Sequence, residues 1–224
     1  MLKFYKIADA QAGTAVLAER LGQELSAGKR VLWLLSGGSN IAIEVAIMNT
    51  LPPGSQPNLT IMLDERYGPY GHEDSNMQQL QAAGFVQGVA TVIPVLTPDN
   101  ESIEDTAARY QAAAETAFKN ADVIIAQLGI GPDGHVSGIL PDSPAATATG
   151  LVAGYRTEQF ERITFTFDAL KACTAAYAFA FGEGKRAQLE TLRDKNLPLS
   201  TQPAQILKQI PESYVYNDQI GGNE

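Results

Sequence analysis

The sequence predicts an α/β fold: a doubly wound, mostly parallel, Rossmann-like sheet with helices on both faces. The short unbroken apolar runs Val31–Leu35 (VLWLL) and Val123–Ala126 (VIIA) read as buried strands, and Leu59–Leu63 (LTIML) reads as another strand. Stretches with helical spacing alternate with them, and three times a strand-like run leads into a glycine turn and a helix start.

Along the chain, Ala8–Ala27 places Ala15, Val16, Leu17, Leu21 and Leu25 three and four apart, an apolar stripe on one helix face, and Gly28 ends that helix. The strand Val31–Leu35 runs directly into Ser36-Gly37-Gly38-Ser39-Asn40, ahead of a helix over Ile41–Met48. That succession has two readings. Free backbone N–H groups and the helix dipole make an anion cradle there, or Ser39 is an N-cap in a plain tight turn. Pro52-Pro53-Gly54 breaks the chain before Leu59–Leu63, and Asp64-Glu65-Arg66 stands at that strand's carboxyl end, where ligand loops gather in parallel sheets. Arg66 offers a planar fork of donors suited to phosphate oxygens, with Asp64 or Glu65 to hold it. Three charges in a row are otherwise the mark of a solvated loop. Tyr67–Ser75 reads as a flap loop with His72 facing solvent, followed by a short helix capped by Asp74 or Ser75 and ending near Gly84. Ser75 and Asn76 supply hydrogen-bonding groups for a polyhydroxy ligand.

Thr91–Val95 is expected as a strand, and Ser102–Ala117 as a helix with Glu104 and Asp105 complementing its dipole. Strands follow at Val123, near Leu151, at Ile163–Phe167 and at Tyr177–Phe181, with Asp168 capping a short helical turn. Gly182-Glu183-Gly184-Lys185-Arg186 then opens a helix over Ala187–Arg193. Cations are mildly unfavourable at a helix start, so Lys185 and Arg186 either answer a local anion or project into water. A short helix at Ala204–Lys208 and a strand at Tyr214–Tyr216 come last.

The stretch Gln127–Ser143 (QLGIGPDGHVSGILPDS) anchors the functional reading, because its glycines begin where the Val123 strand stops. Gly129, Gly131 and Gly134 let the loop approach a ligand closely. Asp133 and His135 stand within it. An imidazole takes a proton from water near neutrality, and a neighbouring carboxylate fixes its tautomer and stabilises its charged form.

With 224 residues and 45% hydrophobic content, the chain suits one α/β domain over residues 1–224. A formal charge of −9 argues against nucleic-acid or anionic-membrane partners, and it requires an anionic ligand to be attracted locally. Cys173 is the sole cysteine, which excludes an internal disulfide, and no Cys/His spacing resembles a metal site. The missing GxGxxG and P-loop lysine argue against NAD and ATP. No signal segment or membrane-length apolar run is seen, so the expected location is cytoplasmic.

Four blocks in order, Ser36-Gly37-Gly38-Ser39, Asp64-Glu65-Arg66, Asp74-Ser75-Asn76 and Leu128–His135 (LGIGPDGH), resemble the 6-phosphogluconolactonase family. That family sits in a larger group with glucosamine-6-phosphate deaminases and ribose-5-phosphate isomerases. Arg162–Thr166 and Gly182–Lys185 are softer matches. The resemblance implies a sugar-phosphate isomerase/deaminase-like fold and hydrolysis of 6-phospho-D-glucono-1,5-lactone in the oxidative pentose phosphate pathway, with no metal or other cofactor. It further implies His135 as the residue that activates water and Asp133 as its acidic partner. Ser36, Gly37, Gly38 and Ser39 with Arg66 and Lys185 are implied as the phosphate grip, and Asp64, Asn76 and Gly131 as further substrate contacts. Oligomeric state is left open. Asn40, Val136–Ile139, Tyr67-Gly68-Pro69 and Met77-Gln78-Gln79 depart from the family pattern but spare the implied base and cations.

Two rival functions follow. Amino-sugar-phosphate deaminases carry a glutamate shortly after this histidine, in a stretch resembling Asn-Glu-Pro, where this chain has the apolar Ile139-Leu140-Pro141. A non-catalytic sugar-phosphate sensor would keep Arg66, Lys185 and the Ser36 loop but would not need His135.

Overall fold

The computed structural model describes residues 1–51, 59–85 and 91–222; the Pro52-Pro53-Gly54 break expected from sequence lies outside them. The elements run β1 (Leu2–Lys6), α1 (Gln11–Ser26), β2 (Val31–Leu35), α2 (Ile41–Thr50), β3 (Leu59–Met62), β4 (Asp64–Arg66), α3 (Asn76–Ala82) and β5 (Thr91–Ile93). They continue with α4 (Ile103–Asn120), β6 (Val123–Gly129), β7 (Val152–Arg156), β8 (Glu161–Phe165), α5 (Phe167–Lys171), β9 (Ala175–Ala180), α6 (Arg186–Asp194) and β10 (Glu212–Asn217).

Seven strands form one sheet in the order β1-β10-β9-β6-β2-β3-β5, and every neighbouring pair is parallel. Successive side chains of a strand point to opposite faces, and all five residues of β2 are at most 1% exposed, so both faces of the sheet are covered there. β9 is buried along its whole length too. The core holds Trp33, Tyr110, Phe165 and Phe179, all essentially inaccessible. From β2 the chain works outward through β3 to β5, then returns to lay β6 on the other side of β2. β2 and β6 therefore flank the reversal of strand order, the place where a crevice opens at the carboxyl ends of a doubly wound sheet.

Sequence and structure part in several places. The strands expected near Leu151 and at Ile163 do not join the parallel sheet. β7 and β8 pair antiparallel with β4 in a separate three-stranded sheet. Asp64-Glu65-Arg66 is thus a strand rather than a solvated loop, and Asp64 and Glu65 are buried. Ser39 caps nothing: it lies inside a 3-10 turn, Gly38–Asn40, that feeds α2. Thr166, not Asp168, caps α5, its Oγ1 accepting from the Asp168 N–H. The short helix expected at Ala204–Lys208 is present as a 3-10 helix, Pro203–Lys208. The buried stripe of α1 is Gly13, Leu17, Ala18 and Leu21, which leaves Val16 at 44% exposure outside it, together with exposed Ala15. Ser75, one of the two caps the sequence offered, caps α3 with its side chain, and Ser102 caps α4 in the same way. Among the described residues, no helix is long and apolar enough to cross a membrane.

Candidate active site

The turns leaving β2, β3, β6 and β9 meet over the β2–β6 reversal. They enclose an open cleft of about 250 Å³, lined among others by Ser36, Gly37, Gly38, Ser39, Asp64, Arg66, Asn76, Gly131, His135, Arg162 and Lys185. Segments far apart in sequence meet there because each begins where a parallel strand ends, and parallel strands end on the same side.

At the β6 end the loop folds on itself: Gly131 N–H donates to the His135 carbonyl at 2.9 Å, and Gly134 N–H to the Gly131 carbonyl at 3.0 Å. Asp133 Oδ1 accepts the His135 backbone N–H at 3.1 Å and lies 2.6 Å from His135 Nδ1. An Nδ1–H donated to the carboxylate leaves Nε2 as the basic nitrogen. Partial burial on its own would raise the Asp133 carboxyl, but the His135 side chain and backbone N–H outweigh it and hold the carboxyl below the usual range. The tightness of this turn makes Gly131 necessary, because a Cβ there would lie 2.2 Å from His135 Nδ1 and 2.6 Å from Asp133 Oδ1. His135 lines the cleft, while Asp133 stands behind it in an adjoining hollow with Pro132 and Arg162.

At the β2 end, Ser36–Asn40 line the cleft just ahead of α2, whose dipole turns its positive end towards them. Glu44, fully buried in the first turn of α2, accepts the Ser36 N–H at 2.6 Å. Loss of water pushes its carboxyl well above the ordinary range, with nearby Asp64 adding to the shift. Asn76 presses against the backbone of Gly37, where a Cβ would fall 2.3 Å from its Cγ.

On the opposite wall, Glu65 organises rather than grips. Its carboxylate accepts from the backbone N–H of Arg66 at 2.8 Å, Asn76 at 2.7 Å and Met77 at 3.1 Å, and from Ser75 Oγ at 3.0 Å. It thereby pins β4 to the start of α3. Arg66 reaches across and donates to the Asp74 carbonyl at 2.9 Å. Asp64 faces Arg162, 3.7 Å from its guanidinium, and not Arg66. Burial raises the Asp64 carboxyl, against Arg162, Arg66 and His135. Lys185 is half-buried at the cleft; loss of water lowers its ammonium pKa while Asp218 opposes the shift. Its neighbour Arg186 is exposed and does not line the cleft. Among the described residues, no group of three or more His, Cys, Asp or Glu is placed to hold a metal ion.

The family model described as glucosamine-6-phosphate isomerases/6-phosphogluconolactonase matches residues 7–215. The chain belongs to this family. A bovine (Bos taurus) 6-phosphogluconolactonase is 30% identical over 191 residues, covering 75% of this chain and 71% of the bovine one. A probable chloroplastic 6-phosphogluconolactonase of rice (Oryza sativa subsp. indica) is 27% identical over 64% of this chain but only 50% of its own length. The crystal structure of 6-phosphogluconolactonase from Thermotoga maritima superposes with a TM-score of 0.74 at 20% identity, over 97% of this chain and 99% of that one, and so shares the fold.

The cleft brings together Ser36–Ser39, Asp64, Arg66, Asn76, Gly131, His135 and Lys185, with Asp133 in the adjoining hollow, and its lining includes further residues. Arg162 lines both the cleft and the adjoining hollow, and Asn40 and Ser137 line the cleft. The softer Arg162–Thr166 match held the signal for Arg162, but nothing local in the sequence places it opposite Arg66. His72 is not simply solvent-facing: it is half-buried, with Nε2 2.9 Å from the Arg66 carbonyl. Ser75, expected to serve a ligand, is instead buried between Glu65 and Gln78.

Proposed function

We propose that the protein hydrolyses 6-phospho-D-glucono-1,5-lactone to 6-phosphogluconate, the 224 residues acting as one catalytic domain. The reading is carried by the His135–Asp133 pair, 2.6 Å apart, opening onto the same cleft as the Ser36–Ser39 turn, Arg66 and Lys185. A base at one end of a cleft and an anion grip at the other fit a substrate with a carbonyl at one end and a phosphate at the other.

In this reading the Ser36–Ser39 turn, Arg66 and Lys185 take the phosphate, and Asp64, Asn76 and Gly131 shape the contact with the ring. Fixing the remote phosphate holds the lactone carbonyl near His135. Nε2 removes a proton from water as its oxygen attacks C1, and Asp133 stabilises the imidazolium that forms. As the C1–ring oxygen bond breaks, the imidazolium returns the proton to that oxygen, which leaves the open-chain acid. A lactone carbonyl is already electrophilic, so general-base help of about 10²–10⁴-fold is a large share of the task.

The deaminase reading has less support. In Ile139-Leu140-Pro141, the stretch that stands where that chemistry has Asn-Glu-Pro, the carboxylate's place is taken by the apolar Leu140, which lines the hollow beside His135. Purified protein is expected to open the lactone faster than buffer, and His135→Ala is expected to lose about 10²–10⁴-fold in kcat with binding of the product 6-phosphogluconate retained. Lactone opening no faster than buffer, with sugar phosphates still bound, would replace this reading with a sensor. Ammonia release from glucosamine 6-phosphate would replace it with a deaminase.

A further inference from the structure

β4 and β8 set Arg66 directly opposite Arg162 in antiparallel register. Side chains directly across such a pair share a face and come within contact range, and like charges placed so are destabilising. Each of these guanidinium groups is only partly answered: Arg66 by the Asp74 carbonyl at 2.9 Å, and Arg162 by Asp64 at 3.7 Å. The Nε of each is buried and has no hydrogen-bond partner among the described residues. Both residues line the cleft.

Phe160 supplies the missing contact. Its ring lies 5.5 Å from the Arg66 guanidinium carbon and 5.5 Å from that of Arg162. The negative face of an aromatic ring attracts cations at this range, so one ring holds two like charges beside each other. Its position is fixed by the β7–β8 hairpin tip, where Thr157 N–H donates to the Phe160 carbonyl at 2.9 Å and Phe160 N–H to Thr157 Oγ1 at 2.9 Å. The tip is pinned in turn to β4 by the Tyr67 N–H, which donates to the Glu161 carbonyl at 2.8 Å.

We propose that Phe160 is a positioning residue that holds Arg66 and Arg162 as a preformed two-guanidinium clamp for the phosphate of the substrate. This rests on the lactonase reading above and adds both Phe160 and Arg162 to its binding machinery. A ring that presets the clamp acts on substrate binding and leaves proton transfer at His135 untouched.

The experiment is steady-state lactone hydrolysis by wild type, Phe160→Leu, Phe160→Ala and Phe160→Trp, with melting temperatures recorded alongside and inorganic phosphate as competitive inhibitor. Leucine keeps the apolar bulk and removes the π face. Phe160→Leu and Phe160→Ala are expected to raise KM and the inhibition constant of phosphate by about tenfold while kcat stays within about twofold, and Phe160→Trp is expected to restore both. If Phe160→Ala does not fold, Phe160→Leu carries the comparison. A Phe160→Leu enzyme with wild-type KM and phosphate inhibition overturns the clamp and leaves Phe160 as packing, and so does a fall in kcat at unchanged KM. An inactive wild type would instead overturn the lactonase reading itself, and phosphate binding measured directly on the same variants would still decide the clamp.

Discussion

Glu44 spends one carboxyl oxygen on the Ser36 N–H and has no partner for the other among the described residues. Burial pushes its pKa well above the ordinary 4.5. A carboxyl whose folded pKa lies above its unfolded one binds its proton more tightly in the native state. Its stabilising contribution is therefore present below about pH 4.5 and is withdrawn as pH rises towards the folded value. Asp64 and Glu65 shift the same way, both through burial first, whereas Asp133 shifts down, so its contribution is present above about pH 3.8 and is lost as pH falls towards its lower folded value. Glu44→Gln keeps an oxygen for Ser36 and removes the titrating proton. Its melting temperature is expected to exceed that of wild type by a few degrees at pH 8, with the gap closing towards pH 4.5. A gap independent of pH would show that this carboxyl titrates normally. At this scale the sequence was informative wherever the chemistry is local: Asp133 and His135 make their contact within three residues of chain. It was silent where a role depends on distant pairing. Arg162 matters because of its register with Arg66, and Glu44 because of the turn it folds under.

Among the elements, the strands with unbroken apolar runs were legible because burial on both faces leaves no polar positions to blur them. β1 was not, since LKFYK sits at the sheet edge and exposes alternate side chains. The three-stranded sheet was hidden for another reason: β4 finds its partner β8 across roughly a hundred residues, and no local pattern announces such a pairing. α1 illustrates how packing decides a face. Gly13 belongs to its buried stripe because a Cβ there would lie 2.7 Å from the Tyr216 ring and 2.8 Å from that of Phe179. Gly13→Ala gains about 1 kcal/mol of helix propensity but overpacks a tight contact, at a typical cost of about 1–3 kcal/mol. The expected net result is a lower melting temperature with kcat and KM unchanged, since Gly13 lines no part of the cleft. A melting temperature above that of wild type would show that α1 shifts freely over the sheet.

For the molecule as a whole, a net charge of −9 opposes an anionic substrate at long range, while Arg66, Arg162 and Lys185 converge at the cleft. The two influences have different ranges. Repulsion from the whole surface acts over the Debye length, about 30 Å at 0.01 M salt and about 10 Å at 0.1 M, whereas the grip acts at contact and is screened later. kcat/KM is therefore expected to rise as salt is raised from about 0.01 to 0.1 M and to fall towards 1 M, where the Debye length is about 3 Å. A steady decline from the lowest salt would mean that the cleft's positive field reaches far into solution. One last property follows from the placement of β1. Among the described residues it pairs with β10 alone, and Met1 donates to the Pro211 carbonyl 210 residues along the chain. A ribosome delivers β1 well before its partner β10, so this seam closes late. Until β10 has been made, β1 has to wait for this partner through the synthesis of all the elements between them, and the pace of translation becomes part of how the two strands come together.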